Sequence, residues 1–172
     1  VPFQVIDLRA AYRAEIIEYV RREYLAGRTP NPCVRCNHRL KFGFLLEQAR
    51  RSGLSFDLFA TGHYARIIEK DGRRFIAKAL DHAKDQSYFL AFLPATHLST
   101  ILFPLGERRK EEVRRIAASL GLPVADRPES QDFIGTGDYS VLFEPDEALP
   151  GEIVDEEGRV VGRHRGIVHY TI

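Results

Sequence analysis

Two cysteines, Cys33 and Cys36, are the residues whose types and spacing point most directly to chemistry. A helix is expected to begin close to Cys36, and the unpaired N–H groups and positive dipole end of a helix start stabilise a thiolate. Arg35, Arg39 and Lys41 add positive charge nearby. We therefore expect Cys36 to be an activated thiolate and Cys33, three residues earlier, to be its partner.

The C-x-x-C spacing also occurs in zinc sites and in thioredoxin-like redox sites. A zinc site needs two more ligands, and the sequence has no second C-x-x-C pair. The pattern that surrounds a thioredoxin site is missing, and two cysteines are too few for a secreted disulfide scaffold. Two buried, unreactive thiols remain an alternative, although packing alone explains the stiff Pro30-Asn31-Pro32 approach poorly. We favour a cytosolic protein with reactive or metal-binding thiols.

A second candidate site follows the short apolar run from Leu58 to Thr61, which predicts a buried parallel strand. Ligands of open α/β sheets bind at the carboxyl ends of strands. Gly62 lets a ligand approach the backbone closely, and His63 is placed to face the same crevice. The alternative for His63 is an ordinary histidine that is hydrogen-bonded within the core.

A third candidate site combines a cation, a carboxylate and an amide in Lys84, Asp85 and Gln86, directly ahead of an aromatic pair. Lys84 suits a phosphate group, and Gln86 suits a base edge or a sugar. The alternative is a short helix that Asp85 caps, with Tyr88 and Phe89 in the core.

The elements that must position these residues follow from hydrophobic periodicity and turn residues. An apolar residue at every fourth position predicts a first helix, capped by Asp7 and closed by Gly27. Two prolines predict an extended loop up to Cys33, followed by a second helix that closes at Ser52-Gly53. Further along, the pattern predicts two hairpins, one around Asp71-Gly72 and one around Glu157-Gly158. Between them it predicts a short turn stopped by Pro94 and a helix over residues 107–120. The inward face of that helix is expected to consist of Val113, Ile116, Ala117 and Leu120.

The charge distribution says more than the net charge of +1. Basic residues outnumber acidic ones between Leu8 and Arg51, whereas acidic residues stand without any basic one between Glu144 and Glu157. This asymmetry fits a polyanion that binds one end of the protein, and it also fits ordinary solvated helix faces. No apolar run approaches the roughly 20 residues that span a bilayer, so no membrane partner is expected.

In this order and spacing the motifs closely resemble those of the tRNA-specific 2-thiouridylase family, MnmA in bacteria and TrmU in mitochondria. The resemblance runs through nearly the whole chain and rests on G-x-T-P-N-P-x-x-x-C-N-x-x-x-K-F, A-T-G-H-Y-A and K-D-Q-S-Y-F-L. It implies an α/β fold of the PP-loop ATP-pyrophosphatase (adenine nucleotide alpha hydrolase) type. Residues 1–95 then form the C-terminal part of that catalytic domain, residues 96–145 a small helical central connector, and residues 146–172 the first strands of a C-terminal β-barrel.

The resemblance also assigns roles to residues. It implies that Cys36 is catalytic, that Gly62 with His63 belongs to the ATP site, and that Mg²⁺ accompanies ATP. The remaining assignments are contacts with tRNA, by Asn31, Pro32 and Cys33 against the target base and by Lys84, Asp85 and Gln86 elsewhere on the tRNA.

The chemistry that the resemblance implies has two stages. ATP adenylates the 2-carbonyl oxygen of the wobble uridine, and a sulfur nucleophile then displaces AMP. In the usual family pattern, a second cysteine after P-E-S-Q carries a persulfide and the catalytic cysteine assists release of its sulfur. The implied protein is cytoplasmic and takes sulfur from a donor protein or from sulfide.

The sequence departs from the family pattern in two places. It lacks the Ser-Gly-Gly-x-Asp-Ser phosphate loop, because it starts without Met and after that loop. The polar loop from Arg127 to Gly135, which has no obvious structural duty, carries Asp132 and Phe133 after P-E-S-Q and contains no cysteine. Cys33 stands where many family members have Asp.

Two sulfur routes therefore remain open at this point. Cys33 and Cys36 act as the persulfide and resolving pair, or they ligate an iron–sulfur cluster with a further ligand from elsewhere. Two other functions also remain: a tRNA-binding module that has lost catalysis, and another PP-loop enzyme that adenylates a small carbonyl substrate.

Overall fold

The computed structural model describes residues 2–127, 134 and 138–170. Helix α1 covers residues 9–25 as Arg9–Tyr12, a wider π-helical turn Arg13–Ile17, and Glu18–Leu25. The predicted end at Gly27 is confirmed by its φ of 69°. The predicted cap is wrong, because Leu8 stands at the N-cap, although Asp7 Oδ1 accepts a hydrogen bond from the Arg9 amide at 2.9 Å. The predicted stripe is buried at its centre and end, at Ile16, Val20 and Tyr24.

Helix α2 covers residues 32–51 as Pro32–Arg35, a π-helical stretch Cys36–Phe44, and Leu45–Arg51. The predicted extended loop up to Cys33 is wrong in its last two residues, since the helix already begins at Pro32. Proline is tolerated in the first helical turn, where its missing N–H has no helical partner to lose. Only the residues before Pro32 remain outside the helix.

Strand β1, Phe59–Ala60, pairs in parallel with strand β4, Ile101–Leu102. The prediction of a parallel strand is confirmed, but its burial is wrong. Leu58 is 50% exposed and Ala60 is also exposed. An apolar run is typical of a strand that is covered on both faces of its sheet. Among the described residues this sheet has only two strands, so it offers little cover for β1.

The predicted hairpin around Asp71-Gly72 is confirmed as antiparallel strands β2, Ala65–Lys70, and β3, Arg73–Lys78. Both turn residues have positive φ, 53° and 69°, as a two-residue hairpin turn with matching twist requires. Three single turns of 3₁₀-helix follow, at His82–Lys84, Ser87–Leu90 and Ala95–Ser99. The short helical turn expected before Pro94 is thus confirmed.

Helix α3, Lys110–Ser119, confirms the predicted amphipathic helix, but its inward face is wrong. Ile116 is 40% exposed, Leu120 is 67% exposed, and no residue of the helix itself is buried. Periodicity identifies a face that is able to pack; it does not supply a partner for that face among the described residues.

The predicted hairpin around Glu157-Gly158 is confirmed as strands β5, Gly151–Val154, and β6, Val160–His164. A turn of 3₁₀-helix lies before it at Tyr139–Leu142 and another after it at Ile167–His169. The barrel that this hairpin was expected to open, like the domain boundaries near residues 95 and 145, stays a prediction.

The chain divides into two compact units, Val1–Ile6 with Val34–Glu129, and Asp7–Cys33 with Ser130–Ile172. The core of the first unit contains Phe42, Ala65, Leu90, Leu93 and Ile101. The core of the second contains Val20, Tyr24 and Val168, and in that unit Arg21 and Glu147 form an ion pair at 2.6 Å. Among the helices of the described residues, none combines the length and apolar character that crossing a bilayer requires.

Candidate active site

The two cysteines lie in the first two turns of helix α2. Cys33 is the second residue of the helix and is exposed, whereas Cys36 opens the π-helical stretch and is half-buried. The expectation that Cys36 stands at the helix start is therefore wrong by one turn, because the helix begins at Pro32. The helix-dipole effect falls off within the first turn, so it acts more strongly on Cys33 than on Cys36. Neither cysteine, both of which are described, takes part in a disulfide bond.

Asn37, the residue after Cys36, is buried and is tied to two other segments of its unit. Its Nδ2 donates a hydrogen bond to the carbonyl oxygen of Phe89 at 3.0 Å. Its Oδ1 lies 3.1 Å from Nε2 of His63. Because Nδ2 must face a carbonyl, Oδ1 must face the ring, and an amide oxygen only accepts. Nε2 of His63 therefore carries the proton in this hydrogen bond.

The other ring nitrogen of His63 is also engaged. Nδ1 lies 2.8 Å from Oγ1 of Thr61, and with the proton on Nε2 it accepts from the threonine hydroxyl. The imidazole ring packs beside Phe42 and Phe103, with centroid distances of 5.9 and 6.0 Å. Burial, and after it the nearby positive charge of Lys41, lower the pKa of His63 from 6.5 to about 4. His63 is thus a neutral, fully bonded histidine near pH 7.

Thr61, Gly62 and His63 directly follow the carboxyl end of β1, as predicted. The Thr61 amide continues the parallel ladder by donating to the carbonyl of Leu102 at 3.1 Å. Gly62 is exposed, and a Cβ at this position would meet only the Leu105 side chain, at an ordinary 3.7 Å. The fold itself therefore does not require glycine here. A ligand that comes close to the backbone would explain it.

Asp85 and Gln86 are held by the protein's own backbone. Asp85 Oδ1 accepts from the Ala79 amide at 2.7 Å, and Oδ2 accepts from the Ser87 hydroxyl at 2.7 Å. Burial raises the pKa of Asp85, but these hydrogen bonds outweigh it and hold the pKa below its ordinary value. The alternative in which Asp85 caps the following helical turn is wrong, because the residue at that cap is Gln86.

Gln86 makes two hydrogen bonds to the backbone of Tyr64, which lies in the turn after β1. Gln86 Oε1 accepts from the Tyr64 amide at 2.9 Å, and the Gln86 amide donates to the Tyr64 carbonyl at 2.8 Å. Tyr64 follows His63 in the chain, so the K-D-Q and G-H motifs are joined through the backbone. Lys84, in the preceding turn, is half-buried.

The structure brings together some predicted site residues and leaves others apart. Gly62, His63, Asp85 and Gln86 belong to one connected region of the first unit. Asn31, Pro32 and Cys33 belong to the other unit, where Asn31 is half-buried and Pro32 is buried, whereas Cys36 belongs to the first unit. Most of the loop from Arg127 to Gly135, including Asp132, lies outside the described residues.

Two functional candidates were missed by sequence reasoning, namely Asn37 and Thr61 as partners of His63. Asn37 stood in the quoted motif only as the residue after Cys36. A signal was available, because a buried histidine needs two polar partners and both residues lie in the motifs that flank it. Sequence alone could not say that residues 26 positions apart meet.

Metal binding has little support within the described residues. They contain no group of three or more His, Cys, Asp and Glu side chains that could hold a metal ion. Cys33 and Cys36 therefore supply at most two ligands.

The chain is similar to known proteins over most of its length. A family model described as tRNA methyl transferase HUP domain matches residues 1–136, which agrees with the predicted α/β fold of the PP-loop type. The tRNA-specific 2-thiouridylase MnmA of Chloroflexus aurantiacus (strain ATCC 29366 / DSM 635 / J-10-fl) is 50% identical, over 100% of this chain and 49% of that protein. The protein of the same name from Endomicrobium trichonymphae is 49% identical, over 100% and 48%. The chain spans about half the length of the curated relatives it matches.

Proposed function

The chain belongs to the tRNA methyl transferase HUP domain family, as its resemblance to tRNA-specific 2-thiouridylases implied, and we propose that it takes part in ATP-dependent 2-thiolation of the wobble uridine of tRNA. The observation that carries the proposal is the joining of the motifs in one unit. The residue after Cys36 bonds both the strand-end turn and the backbone of the K-D-Q-S-Y-F-L segment. Cys36, the turn after β1 that is assigned to ATP, and the K-D-Q-S-Y-F-L segment that is assigned to tRNA are thus linked by hydrogen bonds within one unit.

In the first stage, the 2-carbonyl oxygen of the uridine attacks the α-phosphorus of ATP, and pyrophosphate leaves. The strand-end position and bare backbone of Gly62 support its assignment to the ATP site, beside His63. His63 has both ring nitrogens engaged within the protein, so its part in this site is to hold the turn. The Mg²⁺ that accompanies ATP would be held mainly by the phosphates of the nucleotide.

In the second stage, we favour a persulfide route that uses Cys33 and Cys36. Exposed Cys33 attacks the outer sulfur of a persulfide on a donor protein, takes up that sulfur and leaves the donor as a thiol. The terminal sulfur attacks C2 of the adenylated uridine, a C–S bond forms, and AMP leaves with the old oxygen. The Cys36 thiolate then attacks Sγ of Cys33, which releases the 2-thiouridine and leaves a disulfide that an external thiol reduces.

The spacing and exposure of the two thiols support this route. Two thiols in a C-x-x-C sequence can form a transient disulfide. An iron–sulfur cluster would need at least one more ligand from outside the described residues.

Asn31, Pro32 and Cys33 are proposed to contact the target base, and Lys84, Asp85 and Gln86 to contact tRNA elsewhere. The side chains of Asp85 and Gln86 already bond within the protein, so their contribution is to fix the shape of the segment. Half-buried Lys84 supplies the charge for a phosphate contact. A cytoplasmic location belongs to the same proposal, because tRNA and reduced thiols occur together there.

The proposal is tested by Cys36→Ser in the full-length protein. Thiolated tRNA is measured by its slowed migration in a mercury-containing gel, with ATP and a sulfur donor present. We expect no thiolation by the variant and tRNA binding close to that of the wild type, because a hydroxyl cannot exchange sulfur and phosphate contacts supply most of the affinity. Thiolation at the wild-type level in the variant would contradict the proposal.

Two further outcomes identify the alternatives. A wild-type protein that binds tRNA tightly but never thiolates it indicates a binding module without catalysis. ATP hydrolysis to pyrophosphate with a small carbonyl compound, and not with tRNA, indicates another adenylating enzyme.

A further inference from the structure

His63 lies at the centre of a chain of hydrogen bonds that crosses three segments of the first unit. Thr61 donates to its Nδ1, its Nε2 donates to Asn37, and Asn37 donates to the Phe89 carbonyl. The side chain of His63 is buried at 8% exposure and that of Asn37 at 3%. A buried polar side chain that loses its partner destabilises the fold, so each bond of this chain restricts the next segment.

The segments that are tied together are those proposed to carry the chemistry. Thr61 and His63 flank Gly62 at the end of β1, Asn37 adjoins Cys36 in α2, and Phe89 lies three residues after Gln86. Packing of the imidazole against Phe42, which is 1% exposed, fixes the ring plane as well as its two bonds. The ring cannot rotate without breaking a bond to one segment or the other.

We infer that His63 and Asn37 are positioning residues that hold Cys36 in its half-buried place relative to the strand-end turn. The inference rests on the proposed function, since it assigns a purpose to the placement of Cys36. Neither residue has to touch a reacting atom. The bond between His63 Nε2 and Asn37 Oδ1 is the one that transmits the constraint, whereas the bond to Thr61 orients the ring.

Two amide substitutions separate these bonds. Glutamine at position 63 has an N–H that can reach the place of Nε2 and so preserve the bond to Asn37. Asparagine is shorter, and its amide reaches only the place of Nδ1 and so preserves the bond to Thr61. His63→Gln and His63→Asn both lose the aromatic ring; they differ in which of the two bonds they keep and by one methylene group. Thr61→Val, which loses one buried hydrogen bond and keeps the bond to Asn37, controls for lowered stability.

The first readout does not depend on the proposed function. The intact protein is alkylated briefly under native conditions and digested with trypsin, which separates Cys33 in peptide 29–35 from Cys36 in peptide 36–39. Exposed Cys33 is the internal reference for half-buried Cys36. We expect the Cys36-to-Cys33 ratio of alkylation rates to rise about threefold or more in His63→Asn, and to stay near the wild-type ratio in His63→Gln and Thr61→Val.

The second readout is thiolation of tRNA by the full-length variants. We expect kcat to fall about tenfold or more in His63→Asn with KM for tRNA nearly unchanged, and to fall far less in His63→Gln. A protein merely weakened by the loss of the ring would respond equally to both substitutions.

The outcomes are separable. Equal alkylation ratios in His63→Asn and His63→Gln, whether raised or unchanged, overturn the inference, because the bond to Asn37 then makes no difference. A raised ratio in His63→Asn alone supports it. Absence of thiolation in the wild type counts against the proposed function and leaves the alkylation result to decide the positioning role.

Discussion

Nε2 of His63 lies 3.1 Å from Oδ1 of Asn37, and this contact links the turn after the parallel strand to the residue that follows Cys36. The contact joins two sequence motifs that are 26 residues apart. It changes the interpretation of His63 from a group that faces a ligand to one that holds the framework beside it. The histidine is satisfied within the core, as the simpler alternative held.

The low pKa of His63 predicts a pH-dependent contribution to stability. The unfolded histidine binds a proton below its ordinary pKa of 6.5, whereas the folded one stays neutral down to about 4. Between these values the unfolded state binds more protons, so the free energy of unfolding falls as the pH is lowered. The loss reaches about 3 kcal/mol below the folded pKa and is absent above the unfolded one.

The measurement is urea unfolding of the wild type and of His63→Gln between pH 7 and pH 4. Carboxyl groups titrate alike in both proteins, so the difference between the two curves isolates the histidine. We expect the advantage of the wild type to shrink as the pH falls. A difference that stays constant with pH contradicts the prediction.

Gly62→Ala is expected to weaken ATP binding by the full-length protein and to leave its Tm unchanged. A Cβ at this position meets one side chain at an ordinary distance of 3.7 Å, so the fold accommodates it. The new methyl group instead occupies the space through which a nucleotide approaches the backbone. Titration calorimetry with ATP and thermal unfolding give the two measurements.

Gly106→Ala is the matched control for that experiment. Its Cβ would lie 1.9 Å from the Ala65 carbonyl oxygen, so we expect a large fall in Tm. If Gly62→Ala instead lowers Tm and leaves ATP affinity intact, Gly62 has a structural role only.

Lys84→Ala is expected to raise the Kd for tRNA and to leave ATP affinity unchanged. Loss of one phosphate contact should also reduce the slope of log Kd against log salt concentration by about one. Filter binding at several salt concentrations measures both effects. An equal loss of ATP affinity would assign the segment to the nucleotide site.

Gln86→Glu tests whether the amide of Gln86 itself contacts tRNA. The carboxylate keeps an acceptor for the Tyr64 amide, so Tm should hold, while a negative charge faces the RNA. We expect weaker tRNA binding from Gln86→Glu. Gln86→Ala loses the hydrogen bond to Tyr64 as well and should cost roughly 1 kcal/mol of stability. Unchanged tRNA affinity in both variants would restrict Gln86 to holding the turn.

Cys33→Asp is expected to inactivate the protein, although it restores the residue that is commoner in the family. Carboxylate oxygen cannot carry a persulfide, so sulfur can no longer be stored three residues from Cys36. The mercury-gel assay measures activity, and iron analysis after anaerobic purification tests for a cluster. Bound iron that is lost in either cysteine variant would replace the persulfide route with a cluster, and full activity of Cys33→Asp would contradict both.

The local elements and the motifs follow from the sequence alone. Gly27 marks the end of α1, Asp71-Gly72 marks the first hairpin, and Glu157-Gly158 marks the second. These features depend on residues within a few positions of one another, through capping, positive φ and side-chain period. The family resemblance could also be recognised without the fold, because the order and spacing of motifs are properties of the linear sequence.

Tertiary contacts determine which polar groups are occupied and which apolar faces are covered. Asp85 and Gln86 bond to backbone groups of Ala79 and Tyr64, while Leu120 in the predicted inward stripe is 67% exposed. A hydrogen bond or a packed face needs a partner, and that partner comes from a distant segment which the chain must close a loop to reach. Periodicity describes one element at a time, so it cannot name the partner.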